Sequence, residues 1–294
     1  MKNLPSQRWA IEEVLGKKSV DSIITYVTIR RNADGGYTFA RGSDSNSQDT
    51  YFGLAVLRML DYPPEDPGRT AEWLDRFPVR DLRSAYYVTN AYEVLLDEDA
   101  YRRSEEVHHV AAIVHDIYRP TGYFGSDYTH PEATSEFETN SMSVELARPF
   151  NIPFDDGRLV RNLLSRMNLD GGFGPNRGSD IVSTFHVVST VATVLNRAPK
   201  SSKVQEWISS CENPAGGFPV TPGTLPSCME YTYSGVMALS VFGLSPKFPK
   251  EMLGFIKSCQ KNNGGFGRSD EMGIPTFEHT FQAVRVVAEL VGPR

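Results

Sequence analysis

Apolar positions along this chain recur at helical spacing in two kinds of segment that alternate. The longer kind is apolar on several faces and occupies 50–60, 82–96, 137–147, 182–195, 231–242 and 277–290. The shorter kind is apolar on one face only and runs over 70–77, 105–117, 157–167, 203–211 and 249–260. A helix that is apolar all round belongs inside a protein, and a one-sided helix belongs on its surface. The pattern therefore predicts an inner and an outer layer of helices. Strict alternation of apolar and polar residues is absent, so strands are not expected.

The alternation is punctuated by a repeat. Gly-Gly-aromatic turns stand at Gly35-Gly36-Tyr37, Gly171-Gly172-Phe173, Gly216-Gly217-Phe218 and Gly264-Gly265-Phe266, with a degenerate copy at Thr121-Gly122-Tyr123-Phe124. The steps from Gly35 are 87, 49, 45 and 48 residues, and the first is nearly twice the others. A sixth copy without glycines is therefore expected near Pro78. Units beginning near 32, 78, 121, 168, 213 and 261 account for the chain, since a fixed period of this size marks repeated supersecondary units. The glycines supply positive-φ positions at which an outer helix stops and the chain turns inward. The expectation is an all-α fold, an α/α toroid over residues 1–294. Six inner and six outer helices close into a ring, which buries the ends that an open array must cap. Its central cavity opens at the N-termini of the inner helices.

Composition narrows the partners. A net charge of −6 disfavours a nucleic-acid partner, which needs a Lys/Arg surplus. No apolar run approaches the ~18 residues of a membrane span, and residues 1–10 carry no apolar signal core, so secretion is not expected. Three cysteines, an odd count in a chain this long, fit a reducing, cytoplasmic compartment.

Three segments carry a family resemblance: 168–174 (Asn-Leu-Asp-Gly-Gly-Phe-Gly), 225–231 from Leu225-Pro226 to Tyr231, and 277–280 (Phe-Glu-His-Thr). They resemble the β subunits of protein prenyltransferases and, more distantly, the squalene and terpene cyclases that share the toroid. The resemblance runs from about Asn32 onward and is strongest after Asn168. It implies an enzyme handling an isoprenoid or other apolar substrate in the cavity. It also implies a catalytic zinc, with Cys228, Glu230 and His279 at the family's ligand positions, although the order of the first two is changed. Thiolate, carboxylate and imidazole with one open position is the pattern of a catalytic zinc site. A transferase of this kind would also need a helical partner subunit, which no outer-helix face identifies.

The chain departs from the family at the diphosphate pocket. Positions where the resemblance implies Arg, Lys or His hold Thr221, Thr224, Asn140 and Ile181. The mouth is instead predicted to be acidic, with Asp49, Asp81, Glu136, Glu138, Asp180, Glu230 and Glu278 at helix starts and His186 and Arg177 nearby. Such an entrance repels a diphosphate. It suits a cyclase or lyase in which a carboxylate donates a proton, with Glu138 and Asp180 as candidates; in the zinc reading Asp180, Glu138 and Glu278 would support the metal or act as acid–base groups. Acids in a first turn also stabilise a helix in their own right, by about 0.3–1 kcal/mol each, so capping accounts equally well for each of them. Tyr231, Tyr233, Phe137, Phe185 and Phe277 are candidates to line the cavity and face a carbocation, or to be plain core. Ser234 replaces a large aromatic expected in the family's pocket and would reshape the cavity. A non-catalytic toroid that binds a lipid or a partner stands as the third possibility. His108, His109 and His115 read as a solvated outer face.

Overall fold

The computed structural model describes residues 7–96, 106–125 and 135–292. The inner helices are α3 (Ser47–Met59), α5 (Leu82–Leu95), α7 (Glu136–Ala147), α9 (Ile181–Leu195), α11 (Met229–Val241) and α13 (Phe277–Val291). Five of them begin on a side chain that accepts the backbone N–H three residues on: Asn46, Asp81, Ser135, Asp180 and Thr276. Each such cap satisfies a donor that the first turn leaves open. At α11 the N-cap is Cys228, which makes no capping bond. There the Met229 N–H is held instead by the Arg268 carbonyl at 2.8 Å.

The outer helices are α2 (Lys17–Thr28), α4 (Pro67–Arg76), α6 (Glu106–Asp116), α8 (Asp156–Leu164), α10 (Ser202–Ser210) and α12 (Pro249–Ser258). The pattern of apolar positions located five of these. The sixth, α2, comes from residues before the first Gly-Gly turn. A further helix, α1 (Arg8–Leu15), packs on α13. Among the described residues there is no strand, only isolated bridges such as Arg31 with Tyr37 across a turn.

The inner helices touch in a complete circuit: α3 on α5, α5 on α7, α7 on α9, α9 on α11, α11 on α13, and α13 back on α3. The glycines show how the outer layer closes with them. The first glycine of each turn has positive φ, from 87° at Gly122 to 114° at Gly216, and lies hard against the next outer helix. A Cβ on Gly35 would stand 2.4 Å from the Arg69 carbonyl of α4, on Gly171 2.7 Å from that of Lys203 on α10, and on Gly216 2.4 Å from that of Glu251 on α12. The last turn repeats the contact on the first outer helix: a Cβ on Gly264 would stand 2.1 Å from the Ser22 carbonyl of α2. The ring is closed by the same contact that propagates it.

Each turn is also pinned to its inner helix. The backbone N–H groups of Tyr37, Phe173, Phe218 and Phe266 donate to the hydroxyls of Thr50, Thr184, Thr232 and Thr280, each at 3.0–3.1 Å. In the degenerate repeat Asn140 does the same work, its side chain bonding both the N–H and the carbonyl of Phe124. Near Pro78, where the glycines are missing, His109 Nε2 meets the Val79 carbonyl at 2.7 Å. His109 therefore has a structural partner, while the side chain of His108 lies outside those described.

Candidate functional site

Residues at the same distance from the inner-helix caps meet one another around the ring axis, as the ring contacts of Tyr51, Phe185, Tyr233 and Phe281 show. The axis holds a cavity of about 550 Å³, lined by all six inner helices, a size typical of small-molecule sites. The lining residues recur at helical spacing: 138, 141, 142 and 145 on α7; 182, 185, 186 and 189 on α9; 230, 233, 234 and 237 on α11; 278, 281, 282 and 285 on α13. The same-face rule for helices at i, i+3, i+4 and i+7 would have found this stripe in the sequence once the caps were known.

The first layer is acidic, formed by Glu138, Glu230 and Glu278 in the first turns of α7, α11 and α13. Glu278 is half-buried, and desolvation pushes its pKa up to about 7. Glu138, Glu230 and Asp49 push the same way and Arg83 opposes them. Burial also raises Glu138, against the pull of Arg83 and of the Ser135 backbone N–H. Desolvation and like charge both favour the neutral acid, so a substantial share of Glu278 is protonated at neutral pH. Gln48 and Gln282 donate to its two oxygens at 3.2 and 3.3 Å.

The second layer is aromatic. Tyr51, Tyr86, Phe185, Tyr233 and Phe281 each stand five residues after their caps, Asn46, Asp81, Asp180, Cys228 and Thr276. Neighbouring rings meet edge to face or tilted, Phe185 to Tyr233 at 5.7 Å and Tyr233 to Phe281 at 6.0 Å between centroids. One residue further on, Phe52, Tyr87, Ser141, His186, Ser234 and Gln282 complete the band. Below it Glu145 accepts hydrogen bonds from the Tyr86 and Ser141 hydroxyls at 3.0 and 3.3 Å. Arg285, at the same depth, is paired with Glu289 at 3.2 Å.

The structure separates the sequence candidates. Glu138, Glu230, Glu278, Tyr233, Phe185 and His186 line the cavity. Asp180 does not: its carboxylate caps α9, accepting from the N–H and hydroxyl of Ser183, both at 2.7 Å. Phe137 and Phe277 are core, the latter packed edge-on against Tyr26 and Tyr37. Tyr231 faces Arg268, whose guanidinium lies 5.7 Å from its ring. Glu136 pairs with Arg166 at the rim.

Two cations stand among the acids. The reading from sequence found every cationic position of the family lost and kept only Arg177 and His186. Arg177 is exposed and outside the lining, and His186 lies one layer deeper. The charges instead come from Arg83 and Arg268. Arg268 binds Glu230 Oε1 at 2.6 Å and the Tyr231 hydroxyl at 3.1 Å. Arg83 bonds Gln48 at 3.1 Å and lies over Tyr87. Arg268 comes from the loop before α13, 38 residues from its partner, so no local motif announces the pair.

The proposed zinc ligands do not fit a zinc ion. Among the described residues no three His, Cys, Asp or Glu side chains are grouped to hold a metal. Glu230 Oε1 is taken by Arg268, and Glu230 Oε2 lies 3.7 Å from His279 Nε2. Cys228 is 2% exposed, and burial followed by the Glu230 charge pushes its thiol pKa up.

Comparison with known proteins follows this geometry. The sequence profile of the prenyltransferase alpha-alpha toroid domain matches residues 7–80 and 78–270. No curated protein sequence matches the chain. Among solved structures, Candida albicans protein geranylgeranyltransferase-I complexed with GGPP aligns with a TM-score of 0.71 at 16% identity, over 92% of this chain and 90% of that one. A type II terpene cyclase variant from Scytonema, in complex with merosterolic acid A, aligns with a TM-score of 0.61 at 14% identity, over 96% and 98%. A protein from Actinoplanes aligns at 0.55 and 15%, over 92% and 99%. At these identities the likeness is one of fold.

Proposed function

Given that this chain belongs to the prenyltransferase alpha-alpha toroid domain family, we propose that its cavity holds a polyunsaturated isoprenoid and that Glu278 protonates it to start a cyclisation. The observation that carries this reading is Glu278 itself: a half-buried carboxyl at the head of an aromatic cavity, its pKa raised to about 7. In the step proposed, the Glu278 O–H bond breaks and a C–H bond forms at one carbon of a double bond. The other carbon becomes cationic, and the next double bond attacks it to form a ring C–C bond. Aromatic faces favour a cation within about 6 Å, and the aromatic layer surrounds this region. The reaction ends when a C–H proton is lost to a base, for which Glu145 is placed on the same wall. Product and substrate are then isomers, and Glu278 recovers its proton from solvent at the mouth.

Two of the aligned structures hold isoprenoid-derived ligands in this fold, GGPP in one and merosterolic acid A in the other, which supports an apolar isoprenoid occupant here. Zinc-dependent prenyl transfer has less support, because Arg268 occupies the carboxylate that the metal would need. No helix is long and apolar enough to cross a membrane among the described residues. The three cysteines are free and buried, in keeping with a cytoplasmic setting. Nothing in this reading calls on a helical partner subunit.

The test is turnover of linear polyprenyl compounds, geranylgeraniol first, by purified protein in D₂O. The expected product is an isomer of the probe that carries one deuterium on a saturated carbon, and it disappears in Glu278→Gln. Unchanged probe, or cyclisation that persists in Glu278→Gln, refutes the reading.

A further inference from the structure

We infer that the cavity is built for an isoprenoid that carries a hydroxyl group, held at the level of His186 and Gln282. This rests on the isoprenoid reading above and narrows its substrate class. His186 on α9 and Gln282 on α13 each stand six residues after their caps, so they share one level of the ring, and both line the cavity. Gln282 is 6% exposed. Its Oε1 and the Nδ1 of His186 are buried atoms without a hydrogen-bond partner.

Leaving such an atom unpaired is costly, and most buried polar atoms in folded proteins are paired. Both side chains line the cavity, so a group held there is the nearest partner for either atom. Burial holds His186 neutral at physiological pH, with its pKa down to about 4. A neutral imidazole nitrogen and an amide carbonyl both accept from a neutral O–H. Ser141 and Ser234, at the same level, already donate their hydroxyl protons to Glu145 and to the Glu230 carbonyl, so their oxygens add only further acceptors for a ligand O–H. A plain hydrocarbon would leave the His186 and Gln282 acceptors unpaired.

The layer's position separates this group from the acid chemistry. The hydroxyl would lie one helical turn below Glu278, so the double bond that receives the proton lies above it. The polar group therefore sets the depth of the chain in the cavity and selects which double bond meets the acid.

The experiment compares binding of geranylgeraniol with that of its methyl ether, which keeps the chain and the oxygen but has no donor. Titration calorimetry should show the alcohol tighter by about tenfold, the effect of one buried hydrogen bond. Gln282→Leu and His186→Leu should each reduce that preference, and the double variant should abolish it while ether binding stays. His186→Asn, which returns an acceptor near the Nδ1 position, should restore part of it; thermal melts confirm that each variant folds. Equal binding of alcohol and ether, meaning that water satisfies both acceptors, overturns this inference and leaves the isoprenoid reading standing. Binding of neither ligand overturns both.

Discussion

Replacing Glu278 by Gln removes one ionisable group and keeps its shape, and its effect on stability has an unusual sign. The pKa of Glu278 rises from an ordinary 4.5 to about 7 in the folded protein. Below pH 4.5 both states are protonated and the substitution is neutral. Between 4.5 and 7 the folded state keeps a proton that the unfolded state has released, so stability falls as pH rises. Each pH step across that window costs about 1.4 kcal/mol, or roughly 3 kcal/mol in all. Above pH 7 the deficit is constant. Glu278→Gln should therefore be more stable than the parent by about 3 kcal/mol at pH 8, with no difference near pH 4.5. For a domain of this size that is a rise in Tm of roughly 6 °C. Urea denaturation of both proteins at intervals from pH 4.5 to 8.5 measures the difference directly. A flat difference, or a parent that gains on the variant as pH rises, would show Glu278 to be an ordinary ionised carboxylate and would remove the proton donor.

The neighbours of Glu278 should tune it in opposite directions. Glu138→Gln removes a like charge and should move the alkaline loss of activity to lower pH, whereas Arg83→Met removes the opposing cation and should move it higher; a pH profile of kcat/KM for the two variants separates them, and shifts of the same sign would contradict the arrangement. Ring closure is tested at Gly264, where φ is +93° and a Cβ would meet the Ser22 carbonyl at 2.1 Å: Gly264→Ala should cost at least about 3 kcal/mol or yield insoluble protein. Gly254, in the middle of α12 with open space around it, is the control, since Gly254→Ala should stabilise by about 0.5–1 kcal/mol in the same denaturation assay. Chelation should leave turnover intact, and elemental analysis should find zinc well below one per chain, unaltered by Cys228→Ala; stoichiometric zinc that vanishes in that variant would restore the metal site.

The toroid was legible in the chain itself because each repeat carries its own instructions. Residues such as Gly171, Phe173, Asp180 and Thr184 lie within one unit and act on one another locally: the turn, its anchor and the cap follow from φ preference and hydrogen-bond reach. The same recurrence exposed the five Gly-marked turns and the gap near Pro78. Cavity depth was half legible, since 230, 233, 234 and 237 share a face on any helix, but which face points to the axis depends on where the caps fall. Asp180 and Glu278 illustrate the difference. Both read as acids at an inner-helix start, yet one is the cap residue, turned back onto its own backbone, and the other is two residues past the cap, turned into the cavity.

Charge was decided by tertiary structure alone. Glu278 owes its raised pKa first to desolvation in the packed ring and then to Glu138, 140 residues earlier in the chain, and Glu230 owes its partner to a loop that belongs to the next repeat. Helix propensity and turn chemistry act over a few residues, so a sequence specifies them directly. Desolvation and Coulomb interaction act across whatever the closed ring brings together, and only the packed helices determine which acids share a low-dielectric wall and which meet an arginine.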